Sequence, residues 1–507
     1  MFESIKNLFR KAGASVGMVD SLTNIVDHPK IAISNDEYLR IQKDLRYFRG
    51  NFDEIKYKNT YGKLQTRPYV SLNMMQTVAH RLASLIYNEQ SVITVGGKNS
   101  DMNTFVQSVL QNNDFNKNFE RYLESALALG GLAMKPYADG KNIKIAYAQA
   151  PTFYPLKANT NDISECAIAT VSTRTENDKP IYYTLLEFHE WINGVYTISN
   201  ELYRSEFKNK VGYRVPLKQL FPDLQEVTQY AEHDNVQGVQ HKLFTYLKPA
   251  GFNNKSITSP LGISICENAI TTLKQLNDAY DQFNWEVRMG QRRVAVSEAL
   301  LSTYEKDDKH TEYFDSEQNV FVQFGSDQDG DLVKDLTTAI RADDYIKTLG
   351  NFIKTLEMQV GLSQGTFSFD AQGLKTATEV VSENSMTYQT RNSQLTMVER
   401  SIKELIIAIC ELGANTIVDG LKLYSGAIPE LKDIEIDFDD GVFTDKNAQL
   451  DYWTKALSAG LTPKAVAIQR TMGVDEETAL EYIQQMNDET ISSTPVTDPI
   501  DGKAFKE

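Results

Sequence analysis

No proline interrupts the chain between Pro260 and Pro429, although fourteen are present in its 507 residues. Proline removes an intrahelical donor and clashes with the preceding turn, so an interval of this length without one can hold long helices. The residues inside it have the matching pattern. Directly after Pro260 and Gly262, Ser264 and Glu267 have the spacing of a capping box, which predicts a helix start. Cys266, Ile270, Leu273, Leu276, Tyr280, Phe283 and Val287 then recur every three or four residues, and the helix is expected to end near Arg292 or Arg293. Residues 294–335 break the period, with VAV and NVFVQF as short strands and GSDQDGD as an acidic turn. Tyr345, Leu349, Phe352, Leu356 and Val360 mark a second amphipathic helix that stops at Gly361. Helix, small β-containing insert and helix together predict an antiparallel pair with a module at its tip.

A loop, GLSQGTFSFDAQGLK, follows, and Thr376 with Glu379 repeats the capping-box spacing. The helix it opens is expected to run to about Leu412. Its first half, SENSMTYQTRNSQ, lacks large aliphatics, which suggests a bridge between modules or a subunit interface. Further on, Thr462-Pro463 reads as an N-cap followed by proline, Asp475 as another cap, and the stretch from about Asp488 as a disordered tail.

The first ninety residues read as helical, from Leu72, Met75, Val78, Ala79, Leu82, Leu85 and Ile86. From about Ser91 to Leu247 the pattern is mixed. DFNKNFERYLESALALGG is helical in period, whereas IKIAYA, CAIATVSTR and IYYTLLEFHEW carry strand signals. Asn193-Gly194 between two such runs predicts a hairpin with a type I′ turn. The fold class is therefore α+β, mainly helical.

Lys and Arg total 52 against 68 Asp and Glu, a formal net charge of −16. Phosphate neutralisation supplies most non-specific affinity for nucleic acid, so this balance argues against a tight DNA grip but not against a DNA passage. The charge-free stretches, such as Ser125 to Met134, are too short for a bilayer, and MFESIKNLFRKAG lacks the apolar run of a signal peptide. No membrane partner is expected. Cys166, Cys266 and Cys410 lie too far apart in sequence for a Cys-x-x-Cys pair and read as buried thiols.

Gly361-Leu362-Ser363-Gln364-Gly365 matches the string of a hydrolase nucleophile elbow. That motif needs a strand before the serine and a histidine after it, yet a helical pattern precedes Ser363 and the last histidine is His310. Gly97-Lys98 lacks the first glycine and the Ser or Thr of a phosphate-binding loop. Asp327, Asp329 and Asp331 alternate as in a calcium loop, but Gly330 falls early and no Glu closes it. The six histidines show no ligand spacing. No catalytic residue, metal site or cofactor is expected.

Three stretches, HEWINGVYTISNELYRS (189–205), LFTYLKPAGFNNKSITSPLGISICENAI (243–270) and GLKTATEVVSENSMTYQTRN (373–392), resemble segments of portal proteins of long-tailed phages, the head-to-tail connector subunits. The resemblance is spread over most of the chain, leaving out the extreme N-terminus and the tail. It implies a closed heterologous ring of about twelve subunits at one capsid vertex. It further implies a wing, stem, clip and crown: an N-terminal segment over 1–19, wing over 20–262, stem helices over 263–293 and 341–360, and clip over 294–340. The tunnel loop would span 361–375, a long wing helix and return strand 376–444, the crown 445–487 and the tail 488–507.

Under this resemblance Ser363, Gln364, Gly365, Thr366, Phe367, Ser368 and Phe369 would face DNA, and Lys274, Asp278, Lys347 and Lys354 are possible channel-facing charges. The implied partners are further copies of the chain, double-stranded DNA, the terminase large subunit, a head-completion adaptor, and the major capsid and scaffolding proteins. The implied location is the virion, with the host cytoplasm during assembly. Two alternatives are a cytoplasmic helical scaffold and a hydrolase with Ser363 as nucleophile.

Overall fold

The computed structural model describes residues 21–31, 33–58, 62–88, 90–97, 100–159, 162–232, 238–290, 294–296, 302–306, 309–313, 333–335, 339–367, 385–438, 446–472, 474 and 476–493. They fall into two units, 1–371 with 389–438 and 372–388 with 439–507.

The first unit opens with an edge strand β1 (Ser21–Leu22), helix α1 (Asn35–Arg49), strands β2 (Ile55–Lys58) and β3 (Leu64–Arg67), and helix α2 (Met74–Ile86). Strand β4 (Val92–Val95) precedes helices α3 (Asp101–Asn112) and α4 (Phe115–Leu129). The first ninety residues are thus not wholly helical, because β2 and β3 pair antiparallel between the helices. Nine strands follow: β5 (Leu132–Asp139), β6 (Asn142–Gln149), β7 (Phe153–Ala158), β8 (Ile163–Glu176), β9 (Lys179–Ile192), β10 (Val195–Ser205), β11 (Gly212–Val215), β12 (Val227–Tyr230) and β13 (Thr245–Leu247).

The large sheet is antiparallel in the order β1-β11-β10-β9-β8-β7, with β12 joining the other half of β10. Its centre is the predicted hairpin. Ile192 pairs with Val195 across Asn193 and Gly194, whose φ of 53° and 81° are those a type I′ turn requires. Leu186, Phe188 and Tyr203 bury one face of this sheet, and Ile181, Tyr183 and Leu202 the other. The main core lies elsewhere, where Val78 and Leu82 of α2 and Phe119 and Leu123 of α4 cluster with Ile402, Leu405 and Ile409 farther along the chain.

Helix α5 (Ile270–Met289) follows a single 3₁₀ turn, Glu267–Ala269. The expected capping box is not made. Ser264 Oγ accepts the amide of Cys266 at 3.1 Å, and Glu267 donates its amide to the Ser264 carbonyl at 3.0 Å. The Glu267 side chain is instead buried in the interior, which outcompetes a surface cap and shifts the helix start to Ile270. At its other end α5 stops at Met289, short of Arg292 and Arg293, which lie outside the described residues.

In the insert, β14 (Val294–Val296) pairs with β17 (Val333–Asp335), enclosing the hairpin of β15 (Ser302–Lys306) and β16 (Lys309–Tyr313). VAV is a strand as predicted, whereas NVFVQF and GSDQDGD lie outside the described residues. Helix α6 (Ala342–Gln359) ends as expected at Gly361, where φ is +76°. Helix α7 (Ser385–Asn415) is the long helix; the proposed cap at Thr376 and Glu379 lies outside the described residues. Strand β18 (Ile434–Asp437) returns to pair with β4.

The second unit holds helices α8 (Lys446–Ser458), α9 (Lys464–Met472) and α10 (Glu476–Ser493). The Pro463 carbonyl accepts from Ala467, so the cap falls on Pro463, one residue beyond the predicted Thr462, and α9 starts at Lys464. Asp475 lies outside the described residues, and α10 continues through 488 to Ser493, so the tail cannot begin at Asp488.

Candidate channel elements

Helices α5 and α6 run antiparallel, fastened where one ends and the other begins. Glu286 accepts from the Arg341 backbone amide, Nε and Nη2 at 3.0, 3.1 and 2.7 Å, and the Phe283 and Tyr345 rings lie 5.2 Å apart. The Arg341 guanidinium and amide bring the Glu286 carboxyl down to about 2. The segment from β3 to α2 wraps the side of α5. Arg67 forks onto Asp281 at 2.7 and 2.6 Å, Val70 donates to the same carboxylate, and Leu72 donates to Asn277 Oδ1. Burial alone would raise the Asp281 carboxyl, but the Arg67 and Val70 hydrogen bonds outweigh it and lower it. Arg67 also stacks 4.7 Å over Trp285. The root of α5 is set by close backbone approach: Gly130, at φ +85°, abuts Ile263, where a Cβ would come within 2.7 Å of the carbonyl carbon.

Lys274 and Asp278 lie on α5, and Lys347 and Lys354 on α6. Lys274 is exposed and 4.0 Å from Asp278, which also accepts the Tyr69 hydroxyl at 2.8 Å. Lys347 is exposed and Lys354 half-buried. Exposed apolar side chains, Val287, Met289, Ile346 and Met358, are interspersed with them.

The loop after α6 is more closely folded than its sequence suggests. Leu362 and Ser363 are buried, at 0% and 3% exposure, so Ser363 presents no side chain to a solvent-lined surface of the protomer. Gln364 is exposed; Gly365, Thr366 and Phe367 are half-buried. The cause is Glu357, on the last turn of α6 and itself fully buried. Its carboxylate accepts the amides of Gly365 at 3.2 Å and Phe367 at 2.6 Å, drawing the loop back over the helix end. Thr366 caps the turn on the Ser363 carbonyl at 2.6 Å, and Thr390 of α7 donates to the Gly361 carbonyl at 2.7 Å. Ser368, Phe369, Thr376 and Glu379 lie outside the described residues. A helix, not a strand, precedes Ser363, so the nucleophile-elbow reading fails on geometry.

Sequence reasoning missed Glu357, and it missed what the polar start of α7 does. Arg391, 2% exposed, donates Nε to the Leu85 carbonyl at 2.6 Å. Gln394 grips Ala250 by both backbone groups, at 2.9 and 3.4 Å. This stretch is polar because it satisfies buried main-chain groups. Elsewhere, a cleft of about 1140 Å³ is lined by Trp191, His241, Glu404, Glu411 and Tyr424. Its ionic groups partner one another: Glu411 accepts from His241 Nδ1 at 2.6 Å and from the amides of Gln240 and His241 at 2.9 Å. All three cysteines are buried and free. Among the described residues, no group of three or more His, Cys, Asp and Glu is placed to hold a metal ion, and no helix is long and apolar enough to cross a membrane.

The fastened helix pair thus carries exposed apolar side chains and brackets a β insert. The family model described as phage portal protein, SPP1 Gp6-like, matches residues 27–493, and the chain belongs to that family. It is a family of structural, non-enzymatic phage proteins, found as a capsid-associated ring in the virion. No curated protein matches the chain.

Proposed function

We propose that the chain forms a ring of about twelve subunits at one capsid vertex. The ring is a conduit for double-stranded DNA during genome packaging and ejection. In this reading α5 and α6 are the stem and the β insert is the clip, on which the terminase large subunit and later a head-completion adaptor dock. The sheet-bearing part of the first unit, 20–262, with the long helix and return strand over 376–444, is the wing, facing the major capsid and scaffolding proteins, and α8 to α10 belong to the crown. The observation that carries the proposal is the family match over 27–493 falling on a chain with an antiparallel helix pair around a β insert.

The loop over Gly361–Phe367 serves as the anchor of a tunnel loop, with Gln364 as its outward side chain. An acidic subunit suits this role, because a channel that neutralised many phosphates would retard the moving duplex. Val287, Ile346 and Met358 are the subunit contacts of the stem. Ile346, 61% exposed in the protomer, gives the test. Ile346→Asp leaves the protomer folded but shifts the purified protein from ring to monomer in mass photometry, since the charge would be desolvated at the contact. Unchanged rings from both Ile346→Asp and Met358→Asp contradict the stem assignment.

A further inference from the structure

Asp44 on α1 and Glu267 in the turn that launches α5 are both buried, at 0% and 6% exposure. Asp44 Oδ1 and Glu267 Oε2 are buried oxygens without a donor, while the two carboxyls lie within hydrogen-bonding reach of each other. Among the described residues, the cation that contacts Asp44 is Arg40, and it is already committed. Arg40 divides its guanidinium among Glu37 at 3.3 and 3.4 Å, Asp44 Oδ2 at 3.4 Å and the Gly262 carbonyl at 3.0 Å. Glu37 is further held by Asn253 and Ser259. Two ionised carboxylates cannot face each other in such a place, whereas one proton between them satisfies both orphan oxygens.

We propose that the Asp44 carboxyl holds a proton and donates it to Glu267 as a hydrogen bond, and that this proton latches helix α1 to the root of helix α5, so that alkaline pH releases the root. Burial first, and then the charge and hydrogen bond of Glu267, raise the Asp44 carboxyl far above its ordinary range, against the pull of Arg40 and Lys43. The neighbouring Cys266 thiol is raised by burial and then by the same two carboxyls. The sign follows. The folded state holds a proton that the unfolded chain releases near its ordinary value of 3.8, so the latch contributes fully below that value. Its contribution shrinks as pH rises toward the folded value, on the alkaline side of neutrality.

Cys266, fully buried beside Glu267, reports opening of the root, and buried Cys166 and Cys410 serve as internal references. The full-length protein is labelled with iodoacetamide between about pH 6 and about pH 9.5, and each cysteine is quantified by mass spectrometry. In the wild type the labelling of Cys266 relative to the other two rises with pH, by up to about tenfold per unit, and levels off once the pH passes the folded-state value of the latch. Asp44→Asn and Glu267→Gln each supply a permanent N–H in place of the proton, and hold the ratio constant within about twofold. A flat wild-type ratio, or amide variants that follow the wild type, overturns the proposal. So does a wild-type ratio that rises when EDTA is added at neutral pH, which would put a cation between the carboxylates. Loss of fold in both amide variants also overturns it, because the amide keeps the donor the latch requires.

Discussion

Glu357→Gln removes one charge from a fully buried position while keeping the shape of the side chain. The carboxylate accepts two amides, Gly365 at 3.2 Å and Phe367 at 2.6 Å, on its two different oxygens. An amide group can accept at only one of them, so its NH₂ must face an N–H. One main-chain donor is left unsatisfied, which costs about 1–3 kcal/mol, and the surviving bond loses its charge assistance, about 1 kcal/mol more. The sum, about 2–4 kcal/mol, multiplies the opening of the loop by about 30- to 1000-fold. Amide hydrogen exchange at Gly365 and Phe367 reads this directly, with the amides of α4 as a control that stays slow. Exchange at the two loop amides within about threefold of the wild type would refute the account of how Glu357 holds the loop.

Three further outcomes follow from the same geometry. Gly361→Ala places a Cβ 2.4 Å from Thr390 Oγ1 at φ +76°, and is expected to lower the thermal midpoint by several degrees, whereas Gly350→Ala, with open space around it, does not. In the large sheet, burial would raise Glu201, but His28 and Tyr203 hydrogen bonds and the Arg214 charge bring it from 4.5 to about 2. A depressed carboxyl contributes stability above its unfolded value that disappears as pH falls toward the folded one. After allowing for screening this is about 2 kcal/mol, so acid unfolding between about pH 4.5 and about pH 2 is steeper in the wild type than in Glu201→Gln. Gln364→Lys adds a cation to the exposed part of the loop and is expected to slow DNA packaging in a salt-dependent way; rates unchanged by it and by Gln364→Arg would remove the loop from the DNA path.

The elements that local chemistry specifies were legible in the sequence. Asn193-Gly194 could satisfy two positive φ angles in a way few pairs can, and Gly361 ended α6 where the apolar period ran out. The helix pair was legible because Leu273, Leu276, Leu356 and Val360 keep one phase up to the core they bury in. What failed did so where distant residues competed with local ones. Ser264 and Glu267 have the spacing of a cap, but Glu267 is taken into the interior, near Asp44 more than 200 positions away. The polar start of α7 read as a bridge between modules or a subunit interface because nothing local shows that Arg391 and Gln394 face the backbone of Leu85 and Ala250. Glu357 gave no signal among the other carboxylates, and the uncharged loop it gathers in looked open when Leu362 and Ser363 are interior. The only cue to Glu357 was an acidic residue on the buried stripe of α6, beside Leu356.

The channel itself is the most direct test. Cryo-electron microscopy of the purified full-length protein should show a closed ring with a central hole, its narrow part walled by α5 and α6, and with Gln364 facing the lumen. A monomer, an open filament, or a ring whose lumen is walled by the β7–β12 sheet would contradict the assignment of these helices to the DNA conduit.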